Sequence, residues 1–225
     1  MTQSQQRIIA ERSDWANAFS GSGALHIRYA RGEMICQIGS YAAGVYLVRR
    51  GIVSESLGGE GGTGPSGAFE ILGPGDLIGL EVLLGRGEAL HAACSRAIAD
   101  VELAFLARVA FADAVDQDVD LRWRLLAHLA VRHLSVRRAL SRSRSSTKER
   151  LCHLLLDLGH KLGRVTNGEE VQLPMELDLR TLTDLLGIST SQVRRARDSL
   201  PSLHEEDGRI HFSSEALTDQ LSVLA

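Results

Sequence analysis

A chain of 225 residues, 44% hydrophobic and 24% charged, can hold one large domain or two modest ones, each with its own core. No apolar run reaches the ~20 residues that span a bilayer, and the polar start MTQSQQRIIAERSDWANAF lacks the unbroken apolar segment of a secretory signal. A cytoplasmic protein with no membrane partner is therefore expected. The net charge of −3 does not mark a nucleic-acid binder. Cys36, Cys94 and Cys152 stand singly, without zinc or iron–sulfur spacing. No metal site and no nucleophile–base–acid set is expected, which argues against an enzyme.

In chain order, Ile8, Ile9, Arg12, Trp15, Ala16 and Phe19 fall near helical spacing and predict a short first helix. From about residue 25 to 106, the apolar runs LHIRY, EMICQI, GVYLVRRGIV, FEIL and VELAFL are separated by glycine-bearing turns. That texture predicts an antiparallel β-roll or barrel. GGEGGTGPSG at 58–67 predicts a flexible hairpin loop; without Lys-Ser/Thr it is no phosphate-binding P-loop. GPGDLIGLEVLLGRGEALH at 73–91 joins glycines, Glu81 and Arg86 in a stretch with the outline of a phosphate cradle.

Helical character dominates from Phe111 to about Ser143, a helix of about 30 residues and ~45 Å. Leu126, Leu129, His133, Val136 and Leu140 are spaced 3, 4, 3 and 4 apart, the period of a two-helix seam and hence of a dimer axis. Packing of one helix face on the roll is the alternative. Nine basic residues lie between Arg122 and Arg150, against the single acid Glu149. The RSRSS linker places a boundary near 142–147, giving an expected organisation of 1–110 (first helix and roll), 111–143 (long helix) and 144–225 (C-terminal domain). In that last part Ser146 and Glu149 have capping-box spacing, and the helix they start should run to about Leu162 with Leu151, Leu154, Leu155 and Leu158 inward.

The most informative stretch is DLRTLTDLLGISTSQVRRARDSL at 178–200. Asp178 caps a short helix, Gly187 makes a tight turn, and Ser189 with Gln192 caps a second helix. That helix carries Thr190, Ser191, Arg194, Arg195 and Arg197 on its exposed side, the pattern of a helix-turn-helix recognition helix. Asp207-Gly208 predicts a hairpin, read as a wing, with VQLP as a third strand and SSEALTDQLSVL as a closing helix. The acidic HEEDGR and Glu169-Glu170 leave open a second reading, a ligand-binding or scaffold protein whose winged helix contacts protein.

The order of these pieces resembles the Crp/Fnr superfamily of transcription regulators, above all in GVYLVRRGIV, LGPGDLIGLEVLL, the long helix and LTDLLGISTSQVRRARDSL. The resemblance implies an α+β fold: a cyclic-nucleotide-binding-type β-roll, a dimerisation helix and a winged helix-turn-helix. It implies a homodimer on two-fold-related double-stranded DNA, with RNA polymerase as a further partner. Ser191, Arg194 and Arg195 would face bases, while Ser189, Thr190 and Gln192 would position the helix on phosphates. Many members carry Glu where this chain has Ser191, so a different half-site is implied.

Members resembling the cyclic-AMP receptor have Gly-Glu-Leu followed by Arg-Ser or Arg-Thr, for the ribose and phosphate. Here Gly79-Leu80-Glu81 displaces the acid, Leu90-His91 replaces the pair, and Val136-Arg137 replaces the adenine-contacting hydroxyls of the long helix. The candidate pocket of Gly79, Leu80, Glu81, Arg86, Leu90, His91, His133, Val136 and Arg137 thus implies no usual cyclic-AMP mode. The first cysteine, Cys36, lies too late for an iron–sulfur sensor. A haem-based gas or redox sensor using His91, Cys94 or His133 is one alternative; a small apolar or anionic metabolite, or no effector at all, are the others.

Overall fold

Short segments with alternating burial pair into two antiparallel four-stranded sheets in the N-terminal half of the computed structural model. The structure describes residues 15, 18–20, 23–57, 67–84, 89–142, 145–166, 170–206 and 209–224. Most of the first-helix segment, the glycine-rich loop, Arg86 and the Asp207-Gly208 turn lie outside the described residues. The strands are β1 (Leu25–Tyr29), β2 (Met34–Cys36), β3 (Gly44–Arg50), β4 (Val53–Ser56), β5 (Glu70–Leu72), β6 (Leu77–Ile78), β7 (Cys94–Ala97) and β8 (Val101–Ala107). One sheet has the order β1-β8-β3-β6 and the other β2-β7-β4-β5. β3 and β8 run side by side from Gly44↔Ala107 to Arg50↔Glu102.

One core holds Trp15, Phe19, Val45, Leu47, Leu77, Leu106, Phe111, Leu121 and Leu125, and so joins the roll to the helices that follow it. A second, formed by Cys36, Val48, Val53, Leu72, Ile78, Val101 and Leu103, lies between roll strands. β7 was not among the predicted strands. Its sequence, CSRA, has no β-branched or aromatic residue, so pairing with β2 and β4 makes it a strand.

The single long helix expected over 111–143 is two helices, α1 (Arg108–Gln117) and α2 (Val119–Arg142). Asp118 separates them. Its backbone is extended (φ −115°, ψ 108°), and its carboxylate accepts the N–H groups of Asp120 at 2.9 Å and Leu121 at 3.0 Å. This is an N-cap in the middle of a helical pattern. α2 keeps 24 residues, about 36 Å of helix. Among the described residues no helix is long and apolar enough to cross a membrane.

Contacts divide the chain into two units, 1–64 with 72–136 and 65–71 with 137–225, so the division falls inside α2. The second unit contains α3 (Thr147–Leu162), β9 (Arg164–Thr166), β10 (Glu170–Glu176), α4 (Leu179–Leu186), α5 (Thr190–Asp198), β11 (Leu203–Glu206), β12 (Arg209–Ser213) and α6 (Ser214–Leu224). Its sheet has the order β11-β12-β10-β9. Ser146 and Glu149 form the capping box of α3, with Glu149 Oε2 accepting the Ser146 N–H at 2.6 Å and Ser146 Oγ accepting the Glu149 N–H at 3.3 Å. Leu151, Leu155 and Leu158 of α3 are fully buried.

Replacing Ser146 with Ala removes one half of that box and should cost about 1 kcal/mol. The loss is read as a lower urea midpoint for the C-terminal unit; an unchanged midpoint would show that the box adds nothing to α3.

Candidate effector pocket and nucleic-acid interface

β6 ends at Ile78, and Gly79 (φ +84°) turns the chain into a 3-10 turn at Leu80–Leu83. A Cβ on Gly79 would sit 2.7 Å from the Gly44 carbonyl oxygen and 3.3 Å from His91 Cε1. Both the positive φ and the close backbone approach therefore require glycine. Leu80 packs half-buried against the core. Glu81 turns toward the segment before β7 that carries His91: its Oε1 accepts the Ala92 N–H at 3.1 Å, and its Oε2 lies 3.7 Å from His91 Nδ1. Oε2 is buried and has no hydrogen bond among the described residues.

Burial by itself pushes the Glu81 carboxyl up. The His91 imidazole and the backbone N–H groups of residues 81 and 92 outweigh it and hold the group down at about 2. His91 is buried and fixed by its backbone, donating to Ser40 O at 2.9 Å and accepting from Gly39 N at 2.8 Å. Leu90, at the position the resemblance assigns to a phosphate-binding arginine, is 50% exposed. The structure thus brings Gly79, Leu80, Glu81 and His91 together. His133 is exposed on α2, Val136 is half-buried and Arg137 is exposed. Cys94, the other haem-ligand candidate, is buried with its Sγ accepting the Ile38 N–H at 3.4 Å. Cys36 is buried too, and burial first, then the nearby carboxylates of Glu55 and Glu81, pushes its thiol up to about 12.

A polar group that the sequence did not reveal joins the roll to α2. Arg132 Nη2 donates to Glu55 Oε2 at 2.6 Å and Nη1 donates to the Leu77 carbonyl at 3.0 Å. Ser95 Oγ donates to the other Glu55 oxygen at 3.3 Å. Glu55 and Arg132 are 77 positions apart, so no local spacing could pair them. On the same helix Leu121, Leu125 and His128 are buried, while Leu126, Leu129, His133 and Leu140 of the predicted seam are exposed. Trp123 and Leu134 add to that exposed apolar surface.

In the C-terminal unit Asp178 caps α4, its Oδ1 accepting the Thr181 N–H at 2.8 Å, and Gly187 (φ +62°) ends it in the left-handed conformation. Ser189 and Gln192 form the capping box of α5. Gln192 Oε1 accepts the Ser189 N–H at 3.0 Å and the Ser189 hydroxyl at 2.8 Å. Val193 and Ala196 are buried beneath the helix. Thr190, Ser191, Arg194 and Arg195 are exposed on it, and Arg195 Nε donates to the Ser191 carbonyl at 3.3 Å. Arg197 is drawn aside, its Nη1 3.3 Å from Glu205 Oε2 on β11.

Residues 26–118 match the cyclic nucleotide-binding domain family. No curated protein matches the chain in sequence. Among solved structures it is similar to FixK2 from Bradyrhizobium japonicum at 24% identity and a TM-score of 0.68, over 87% of this chain and 96% of that one. A CRP/FNR-family transcriptional regulator from Thermus thermophilus shares 20% identity, with a TM-score of 0.67 over 89% of this chain and all (100%) of that one. The c-di-GMP responsive global regulator CLP of Xanthomonas campestris shares 18%, with a TM-score of 0.70 over 89% and 99%.

Glu81 has a depressed folded-state pKa, so its contribution to stability is complete above its ordinary value of 4.5 and is lost as pH falls toward about 2. Glu81→Gln should be less stable than wild type at neutral pH, and the gap should close across that window in urea unfolding. A gap independent of pH would exclude the coupling.

Proposed function

We propose that this chain, with its cyclic nucleotide-binding domain at 26–118 and the fold of CRP/FNR-type regulators, is a homodimeric, sequence-specific DNA-binding transcription regulator. The observation that carries this is the start of α5. Its capping box consumes Ser189 and Gln192, its buried face consumes Val193 and Ala196, and Thr190, Ser191, Arg194 and Arg195 are left exposed. Arg195 and Arg194 have the reach and donors for guanine O6 and N7, and Ser191 for a base edge or phosphate. Ser189, Thr190 and Gln192 hold the helix start, where backbone N–H groups meet phosphate.

Dimerisation runs through Leu126, Leu129, His133, Val136 and Leu140 of α2. Exposed leucines at a 3-4 spacing are the surface a second copy of the same helix buries. The roll acts on DNA through α2, whose register against it is held by the Arg132–Glu55 pair. The effector, if one binds, is not cyclic AMP in the usual mode, because Leu90 stands where the phosphate needs a guanidinium and Glu81 faces the chain's own His91. RNA polymerase is the downstream partner, in the cytoplasm.

The test is enrichment from a random duplex pool, which should yield a two-fold-related site. Arg195→Ala should then cost about 1–3 kcal/mol on that site and little on unrelated DNA; an equal loss on all sequences would remove the base-reading role. No enrichment even at low salt would favour a winged helix that contacts protein. Leu126→Asp with Leu129→Asp should convert the dimer to monomer in sedimentation and abolish binding to the two-fold site; a dimer that survives would move the interface off α2.

A further inference from the structure

The β-sheet of the C-terminal unit carries a side-chain group that the DNA-binding reading does not use. His211 on β12 lies opposite His204 on β11 and opposite Gln172 on β10. The three side chains therefore share one face of the sheet, with Glu170, two residues before Gln172, on the same face. The imidazoles of His204 and His211 stack, with centroids 5.3 Å apart and planes 21° from parallel. His204 Nε2 lies 3.0 Å from Glu170 Oε1. One ligand atom from each of Glu170, His204 and His211 falls within 4.8 Å of the others. His211 is buried and the His204 side chain is 52% exposed, so the group has a fixed floor and an open rim.

We propose that Glu170, His204 and His211 form a binding site for a divalent transition-metal ion of the zinc type, with water completing the coordination. Two imidazoles and one carboxylate make a nitrogen–oxygen donor set that suits zinc, at bond lengths of about 2.0–2.2 Å. Gln172 Nε2 lies 3.3 Å from His211 Nε2. An amide N–H directed there leaves that nitrogen with its lone pair, the form in which imidazole binds metal.

Two atoms 3.0 Å apart, His204 Nε2 and Glu170 Oε1, already bracket an ion at such bond lengths. Separations of up to 4.8 Å exceed the ~3.4 Å of a tetrahedral pair, so one ring must swing by up to roughly 1 Å. His204, at the rim, has the freedom to do so. On binding, His204 presents Nε2 as a lone pair with its N–H on Nδ1, the proton moving between the two nitrogens by exchange with water, and His211 exchanges the Gln172 amide for the ion. The ion then ties β10, β11 and β12 together at one point. Glu205, the residue after His204, is the partner of Arg197 on α5.

The site stands apart from the DNA-binding reading and is tested without DNA. Full-length wild type, His204→Ala and Glu170→Gln are titrated with zinc against a chromophoric chelator, and zinc-loaded wild type is examined by X-ray absorption. Both substitutions lie at the accessible rim, and circular dichroism checks that the metal-free variants stay folded. The expected result is about one zinc per chain in a nitrogen–oxygen shell with imidazole scattering, a Tm raised by zinc in wild type, and affinity at least about tenfold weaker in each variant, since losing even an outer-shell partner costs that much. No zinc binding, unchanged affinity in either variant, or sulfur in the coordination shell would overturn the proposal.

Discussion

α2 must satisfy two environments, and the pairing of Arg132 with Glu55 decides which of its faces meets which. Both side chains are largely withdrawn from water, with 19% and 7% of their surface exposed. Removing either would take from the other a charge-assisted bond in a poorly solvated place, a larger loss than the pair's net contribution. The helix is therefore registered against the roll at the position where the guanidinium meets Glu55 and the Leu77 carbonyl. Leu121, Leu125 and His128 precede Arg132 at spacings of 4, 3 and 4 and are buried with it. Rotation by one residue, about 100°, would bring the Leu126–Leu129 face inward instead. The exposed seam is thus a consequence of the buried pair.

The region of the roll that resembles a nucleotide pocket is stabilised from within. Gly79 lets backbone pass against backbone at Gly44, which aims Glu81 at the segment leading into β7. There the carboxylate meets His91 and the Ala92 N–H. An acid held by its own chain's imidazole is less available to a ribose hydroxyl, and Leu90 supplies no charge for a phosphate. Among the described residues, what this stretch shows is the turn geometry, which depends on Gly79 and a short 3-10 turn.

In the C-terminal unit the same division between folding and recognition holds at the scale of single side chains. Ser189 and Gln192 satisfy the helix start, Asp178 does so for α4, and Gly187 allows the turn between them. Arg197 is held by Glu205. Arg194, Arg195, Ser191 and Thr190 remain exposed, and these are the side chains that the proposed reading assigns to DNA.

Local chemistry made much of this legible in the sequence. The capping boxes at Ser146 and Ser189, the glycine turn at 187, the leucine spacing of α3 and the strands GVYLVRR and VELAFLA each depend on neighbours within a few positions, and the structure forms them all. The helix break at Asp118 was hidden because apolar periodicity continues across it and only the cap reveals it. β7 was hidden because its small residues carry no propensity signal. Most elements, their order and the residues exposed on α5 were readable from the sequence, since these follow from hydrogen bonds and periodicities a few residues long. Folding in three dimensions is what brings Arg132 to Glu55 and Glu81 to His91, and what sets Glu170, His204 and His211 on one face of a sheet. Those pairs come together through strand register and helix packing, where separation along the chain carries no information about distance in space.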